Sequence, residues 1–380
     1  MLRTCGQRPT TRCQPYVLGV SLARSAFVRP LAFYSTRSFN YHKVWNNNPH
    51  LTLLGAPLAL GQPLAGTETA PRHLRQYGLV DSLRVHTPWE VRDTGDVDCS
   101  GPSAGCEHTS KTISLGHSAH HAFRVGHACA QLQARLFAEA TKHQFLLTLG
   151  GDHAITAGTL SAIVQQRPRT KVVWVDAHAD LHTPATSPSG NLHGMPLGLL
   201  THGVHDRSAA SLPGYAWLKP CLNPEDIVYV GLRDVDVQEQ EAIRRLGIRA
   251  YTMFDIDRLG IGEVMHRVHD HVAHHNVHLS FDIDACDPFF APSTGTAVGG
   301  GLTFREAHFI CEYLADTRQL TSMDMVEVNT AIAADNGRST VEVANGLILS
   351  ALGCSTMWPV EAGRRYDQGG GRPRFTGHER

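Results

Sequence analysis

Short apolar runs recur along this chain, and each stops at glycines or at potential ligand side chains. Residues 51–54 end in Gly55-Ala56-Pro57, 145–149 in Gly150-Gly151-Asp152-His153, and 171–175 in Asp176-Ala177-His178-Ala179-Asp180. Residues 226–230 end in Gly231-Leu232-Arg233-Asp234, 277–281 in Asp282-Ile283-Asp284, and 322–326 in Glu327-Val328-Asn329. Runs that are apolar throughout, rather than alternating, mark strands buried on both faces. Helical patterns lie between several of them, including an amphipathic segment over residues 119–140. This alternation predicts an α/β fold with a parallel sheet covered on both sides. Polar clusters that follow the strands stand where open α/β sheets bind ligands. No repeat or linker breaks the pattern, so one domain is expected over residues 48–360, followed by a Gly- and Arg-rich mobile tail over 361–380.

Composition narrows the partners. Of 380 residues, 42% are hydrophobic and 18% charged, and the net charge is -1. That balance argues against nucleic acid or an acidic membrane surface as the main partner. No apolar stretch is long enough to span a bilayer. The nine cysteines show no CxxC spacing, which predicts free, mostly buried thiols in a reducing compartment. The first acidic residue is Glu68; before it lie Arg3, Arg8, Arg12, Arg24, Arg29 and Arg37 among Ser, Thr and apolar residues. An acid-free, Arg-rich start predicts a mitochondrial transit peptide over residues 1–45 and a matrix location, the alternative being a basic disordered tail.

Asp176, His178 and Asp180 alternate, so they can converge on one point at a strand's carboxyl end. Two carboxylates and an imidazole gathered there would be costly without a cation. Alone, the motif could be a solvated turn or a helix cap. Asp282 and Asp284 repeat the alternation on a second strand, and His153 follows a Gly-Gly turn after a third. Four carboxylates and two imidazoles, with no thiolate, suit a harder divalent ion such as Mn²⁺ better than structural zinc. Six ligands exceed the usual need of one ion, which favours a pair about 3.5–4 Å apart.

These three motifs resemble the metal signatures of the ureohydrolases: arginases, agmatinases and guanidinobutyrases. The resemblance runs from about Leu54 to about Gly353. Ser189-Gly190-Asn191-Leu192-His193-Gly194 and Gly231-Leu232-Arg233-Asp234-Val235-Asp236 are similar to the arginase branch. The resemblance implies a three-layer α/β/α fold on an eight-stranded parallel sheet. It also implies two Mn²⁺ ions per subunit, one on His153, Asp176, Asp180 and Asp282, the other on Asp176, His178, Asp282 and Asp284. The implied reaction is hydrolysis of L-arginine to L-ornithine and urea. Two alternatives are another guanidino substrate, agmatine or guanidinobutyrate, and a catalytically silent homologue. Retention of every ligand argues against the second.

The chemistry explains the residue types. A guanidinium is resonance-stabilised and charged at any ordinary pH, so neutral water attacks it slowly. Two metals supply hydroxide at neutral pH, and Asp180 can orient it and handle its proton. The departing amine needs a general acid, for which His193 is the candidate; otherwise it only closes a Gly-rich loop. Glu327 can accept two N–H bonds from the guanidinium; otherwise it caps a helix. By family position Thr296 lines the site, Ser189 and Asn191 hold the α-carboxylate, and Asp236 holds the α-ammonium. Ser187 and Glu239 reach the substrate through water. His182 departs from the pattern, standing where arginases carry the Asn that helps hold the carboxylate, and so bears on the choice of substrate. Ala154, Ala285-Cys286 and Thr330 also depart but leave every ligand in place. A homotrimer is expected, with Arg305-Glu306 at an interface position.

Overall fold

The computed structural model describes residues 35–36, 49–100, 119–139 and 144–355. Most of the segment read as a leader and the whole 361–380 tail lie outside them. The exception is β1, Ser35–Thr36, which pairs antiparallel with β10, Cys354–Ser355.

Eight strands form the main sheet: β2 (His50–Ala56), β3 (Glu90–Asp96), β4 (Gln144–Gly150), β5 (Lys171–Val175), β6 (Ile227–Leu232), β7 (Arg249–Thr252), β8 (Val277–Asp282) and β9 (Leu320–Val326). Their spatial order is β3-β2-β4-β9-β8-β5-β6-β7, and every neighbouring pair is parallel. The α/β expectation and the eight-stranded parallel sheet are both met. Each of the six apolar runs forms one of these strands. The two strands without such a run, β3 and β7, are the sheet's edges, where one side needs no neighbour and polar residues are tolerated.

Alternation along each strand divides the core. Val173, Val175, Val228, Val230, Leu279 and Phe281 face one layer, which packs against helices that include Ile261–Val272, Phe304–Thr317 and Arg338–Ala351. Val172, Trp174, Ile227 and Tyr229 face the other, with helices Ala119–Glu139 and Thr156–Gln166. The result is the three-layer sandwich. Because the chain leaves β4 for β5 and returns later to fill the gap with β8 and β9, the loops after β4 and β5 diverge. That creates a crevice at the carboxyl end of the central strands.

One buried group in the helical layer couples stability to acid. His308 has no exposed surface, and its Nδ1 bonds Ser350 Oγ at 2.8 Å. Burial pushes its pKa down to about 4, outweighing the opposing charge of Glu312. The folded state therefore keeps His308 neutral, while the unfolded chain takes up a proton below about pH 6.5. Stability is expected to fall between pH 6.5 and 4 by roughly 3 kcal/mol from this group. Thermal melts at pH 7 and pH 4.5 should show a smaller drop for His308→Asn than for the wild type; equal drops would count against this source.

Candidate metal centre

Four central strands deliver the site. β4 leads through Gly150-Gly151-Asp152 to His153, β5 to Asp176–Asp180, β8 ends on Asp282, and β9 leads to Glu327. Gly151 is required where it stands, because a Cβ there would lie 2.0 Å from the Leu58 carbonyl oxygen. Asp152 caps the turn containing His153, accepting from Ala154 N–H at 3.1 Å, and reaches Gly61 N–H at 2.7 Å. Burial, with the charge of Glu327 adding to it, pushes its carboxyl up to about 7. Asp180 and Glu327 both take left-handed backbone conformations, φ 48° and 62°. Neither is glycine, so the turns that aim them are held by their surroundings. The Asp180 carbonyl accepts from Leu197 and Gly198 N–H. A side chain at Gly198 would meet the His182 carbonyl oxygen at 2.0 Å.

The predicted ligands meet. His153 Nδ1 lies 3.1 Å from Asp176 Oδ2, 3.0 Å from Asp180 Oδ2 and 3.0 Å from Asp282 Oδ2. His178 Nδ1 lies 3.4 Å from Asp176 Oδ1 and 3.1 Å from Asp284 Oδ2. Asp176 thus belongs to two adjoining groups, His153-Asp176-Asp180 and Asp176-His178-Asp284. His153 is fully buried, yet its Nδ1 directs a hydrogen bond at none of the oxygens around it. A lone pair aimed at a point ringed by carboxylate oxygens is the arrangement of a cation site. Burial and mutual repulsion make the gathered carboxylates costly to ionise: burial, with the charge of Asp176 next, lifts Asp180 to about 7, and burial with the charge of Asp284 holds Asp282 well above the usual range. The residues therefore fit a divalent ion with oxygen and imidazole ligands.

A supporting layer orients these ligands, and most of it was not assigned from sequence. His153 Nε2 pairs with Ser280 Oγ at 2.9 Å, leaving Nδ1 for the cation, and the ring stacks on Trp174 at 4.1 Å. Trp174 Nε1–H donates to Asp176 Oδ2 at 3.0 Å, so an indole in an apolar run also positions a ligand. Thr296 Oγ1 donates to Asp284 Oδ2 at 2.9 Å. Gln62, in the loop after β2, donates to Glu327. Gln62 follows no motif; its only signal is a place beyond an apolar run.

His193 and Glu327, expected in separate tasks, touch: His193 Nδ1 lies 3.1 Å from Glu327 Oε1, which also accepts from His153 N–H at 2.8 Å. Burial would lower the His193 pKa, but the hydrogen bond and charge of Glu327 raise it to about 9. Further out, Ser187 Oγ accepts from Gly190 N–H and Ser189 Oγ from Asn191 N–H, so both hydroxyls shape their own loop. His182, Asp236 and Glu239 cluster together. At the expected oligomer position, Glu306 closes its own helix cap with Thr303, and Arg305 pairs with Glu312 at 2.8 Å. The six described cysteines are free, and five of them are buried.

A three-layer parallel sandwich whose central strands bring carboxylates and two imidazoles together at their carboxyl ends defines a class, α/β proteins with a carboxylate-rich candidate cation centre. The comparisons specify which. A family model described as "Arginase family" matches residues 49–354, so the chain belongs to the arginase family, hydrolases of the guanidino carbon–nitrogen bond. An arginase of Glaciozyma antarctica (strain PI12) is 41% identical over 305 residues, covering 79% of this chain and 87% of that protein. Arginase-1 of Mus musculus is 39% identical, covering 80% and 92%. The solved structure of an arginase from Bacillus caldovelox superposes with a TM-score of 0.70 at 36% identity, covering 82% of this chain and 100% of that one.

Proposed function

We propose that the protein hydrolyses L-arginine to L-ornithine and urea with two Mn²⁺ ions per subunit. The observation that carries this reading is the buried His153 Nδ1 facing three carboxylate oxygens, in a chain of the arginase family. His153, Asp176, Asp180 and Asp282 would hold one ion; Asp176, His178, Asp282 and Asp284 would hold the other. When bound, the ions supply Lewis acidity and a nucleophile that is deprotonated at neutral pH.

The remaining tasks fall to side chains. Asp180, at the inner edge of the loop that carries His193, orients the nucleophile and receives its proton. Glu327 offers the guanidinium a buried carboxylate, and the Gln62 amide is the partner that a substrate N–H displaces from Oε2. His193, donating from Nδ1 to Glu327, retains Nε2–H to protonate the departing amine. Ser189 and Asn191 take the α-carboxylate, Asp236 takes the α-ammonium, and Ser187 and Glu239 reach the substrate through water. One contact favours a second reading, a guanidino acid without the α-ammonium: His182 already occupies Asp236.

The test is urea release from L-arginine, agmatine and 4-guanidinobutyrate. Arginine should be preferred, EDTA should abolish turnover, and added Mn²⁺ should restore it. No urea from folded, manganese-loaded protein would overturn the reading; a large preference for agmatine would replace the substrate.

A further inference from the structure

His182 lies on the loop that runs on from Asp180. Its Nε2 stands 2.7 Å from Asp236 Oδ2 and 3.6 Å from Glu239 Oε2, and its Nδ1 lies 3.2 Å from Thr186 Oγ1. The other oxygen of each carboxylate is committed to backbone. Asp236 Oδ1 accepts from Gln238 N–H at 2.8 Å and Glu239 N–H at 3.0 Å, capping helix Val237–Leu246. Glu239 Oε1 accepts from Leu181 N–H at 2.9 Å. The two oxygens that remain for a ligand are therefore the two that face the imidazole.

This arrangement has a consequence for recognition. An ammonium approaching Asp236 finds the imidazole Nε2 already 2.7 Å from Oδ2, and must share that oxygen or displace the ring. Glu239 does not replace it, since it is 6% exposed and burial holds its carboxyl above the ordinary range. A hydrogen bond to a charged group contributes about 1.5–3 kcal/mol when made in full. The chain's own imidazole crowds the oxygen that would make that bond before any substrate arrives.

We propose that His182 sets the specificity of the outer site: by seating Nε2 against Asp236 Oδ2, it levels the preference for substrates that carry an α-ammonium. The inference rests on the site being a guanidino hydrolase. Asparagine at this position places its amide near the location of Nδ1, which keeps the Thr186 contact and clears Asp236 Oδ2. Glutamine reaches about as far as Nε2 and retains the contact with Asp236.

The experiment compares manganese-loaded wild type, His182→Asn and His182→Gln with L-arginine and 5-guanidinopentanoate, which differ only by the α-ammonium. In His182→Asn the kcat/KM ratio of arginine to the deamino compound should rise about tenfold or more, chiefly through the KM for arginine. His182→Gln should stay near the wild-type ratio. A ratio within twofold of wild type in His182→Asn overturns the inference, as does an equal rise in both variants. L-Ornithine and 5-aminopentanoate, titrated calorimetrically, give the same comparison without turnover. Binding with an unchanged ratio removes this inference alone. No urea and no binding in any of the three proteins removes it together with the reaction assigned to the site.

Discussion

Asp176→Asn is expected to leave a folded protein that cannot hold two ions. Asp176, assigned with Asp282 to both ions, is the residue shared by the groups His153-Asp176-Asp180 and Asp176-His178-Asp284, with Oδ2 3.1 Å from His153 and Oδ1 3.4 Å from His178. Both of its oxygens also accept N–H donors, Oδ2 from Trp174 Nε1 and Oδ1 from His178 N. An asparagine amide can keep only one of these acceptors. Whichever way it turns, its NH₂ group faces a donor and one cation position loses an anionic ligand. Urea release should fall at least about a thousandfold, roughly 4 kcal/mol of transition-state stabilisation. Bound manganese, measured by elemental analysis after desalting, should drop from two ions per chain to one or none. The rise in melting temperature on adding Mn²⁺, a linkage effect of binding the native state, should shrink accordingly. Two retained ions with activity within tenfold of wild type would show that Asp176 does not bridge.

The parts of this site legible in the sequence share one physical property, a place at or just past the carboxyl end of a central strand. Alternation itself stops with the strands: β5 ends at Val175, Asp176–Asp180 lie in the loop beyond it with Asp180 at φ 48°, and Asp284 sits in the turn Ile283–Ala285 just past β8. The central strands were equally visible because burial on both faces demands unbroken apolar runs. The edge strands β3, with its sequence Glu-Val-Arg-Asp-Thr-Gly-Asp, and β7, Arg-Ala-Tyr-Thr, meet no such demand and carry no such mark. Gln62 is about 90 residues from His153 and more than 260 from Glu327 in the chain, and only the fold brings them together. Trp174 and Ser280 were in view as residues of strands, but their roles depend on which atom faces a neighbour across the sheet. The contact between His193 and Glu327 depends in the same way on two loops, each turning through a residue at positive φ, Asp180 in one and Glu327 in the other. Pairings across loops have no period, so spacing along the chain carries no trace of them.

His193→Asn should separate acid catalysis from binding. Its amide can stand where Nδ1 stands and keep the bond to Glu327, while the group lost is Nε2–H, the proton proposed for the departing amine. The expected loss in kcat is about a hundredfold to ten-thousandfold, the usual contribution of a positioned general acid, with a much smaller change in KM. The pH profile supplies the stronger test. An acid works in its protonated form, so wild-type kcat should be sustained below the His193 pKa and decline as pH rises through it. Glu327 lifts that pKa to about 9; divalent charge held beside Asp180 would repel the imidazolium proton and bring the alkaline limb below 9. Removing the charge with Glu327→Gln should move the limb lower still in whatever activity remains, and in His193→Asn the limb should be absent. If His193→Asn kept the wild-type alkaline limb, the titrating acid would lie elsewhere. His193 would then be a residue that positions Glu327, and its loss would appear in KM rather than in kcat.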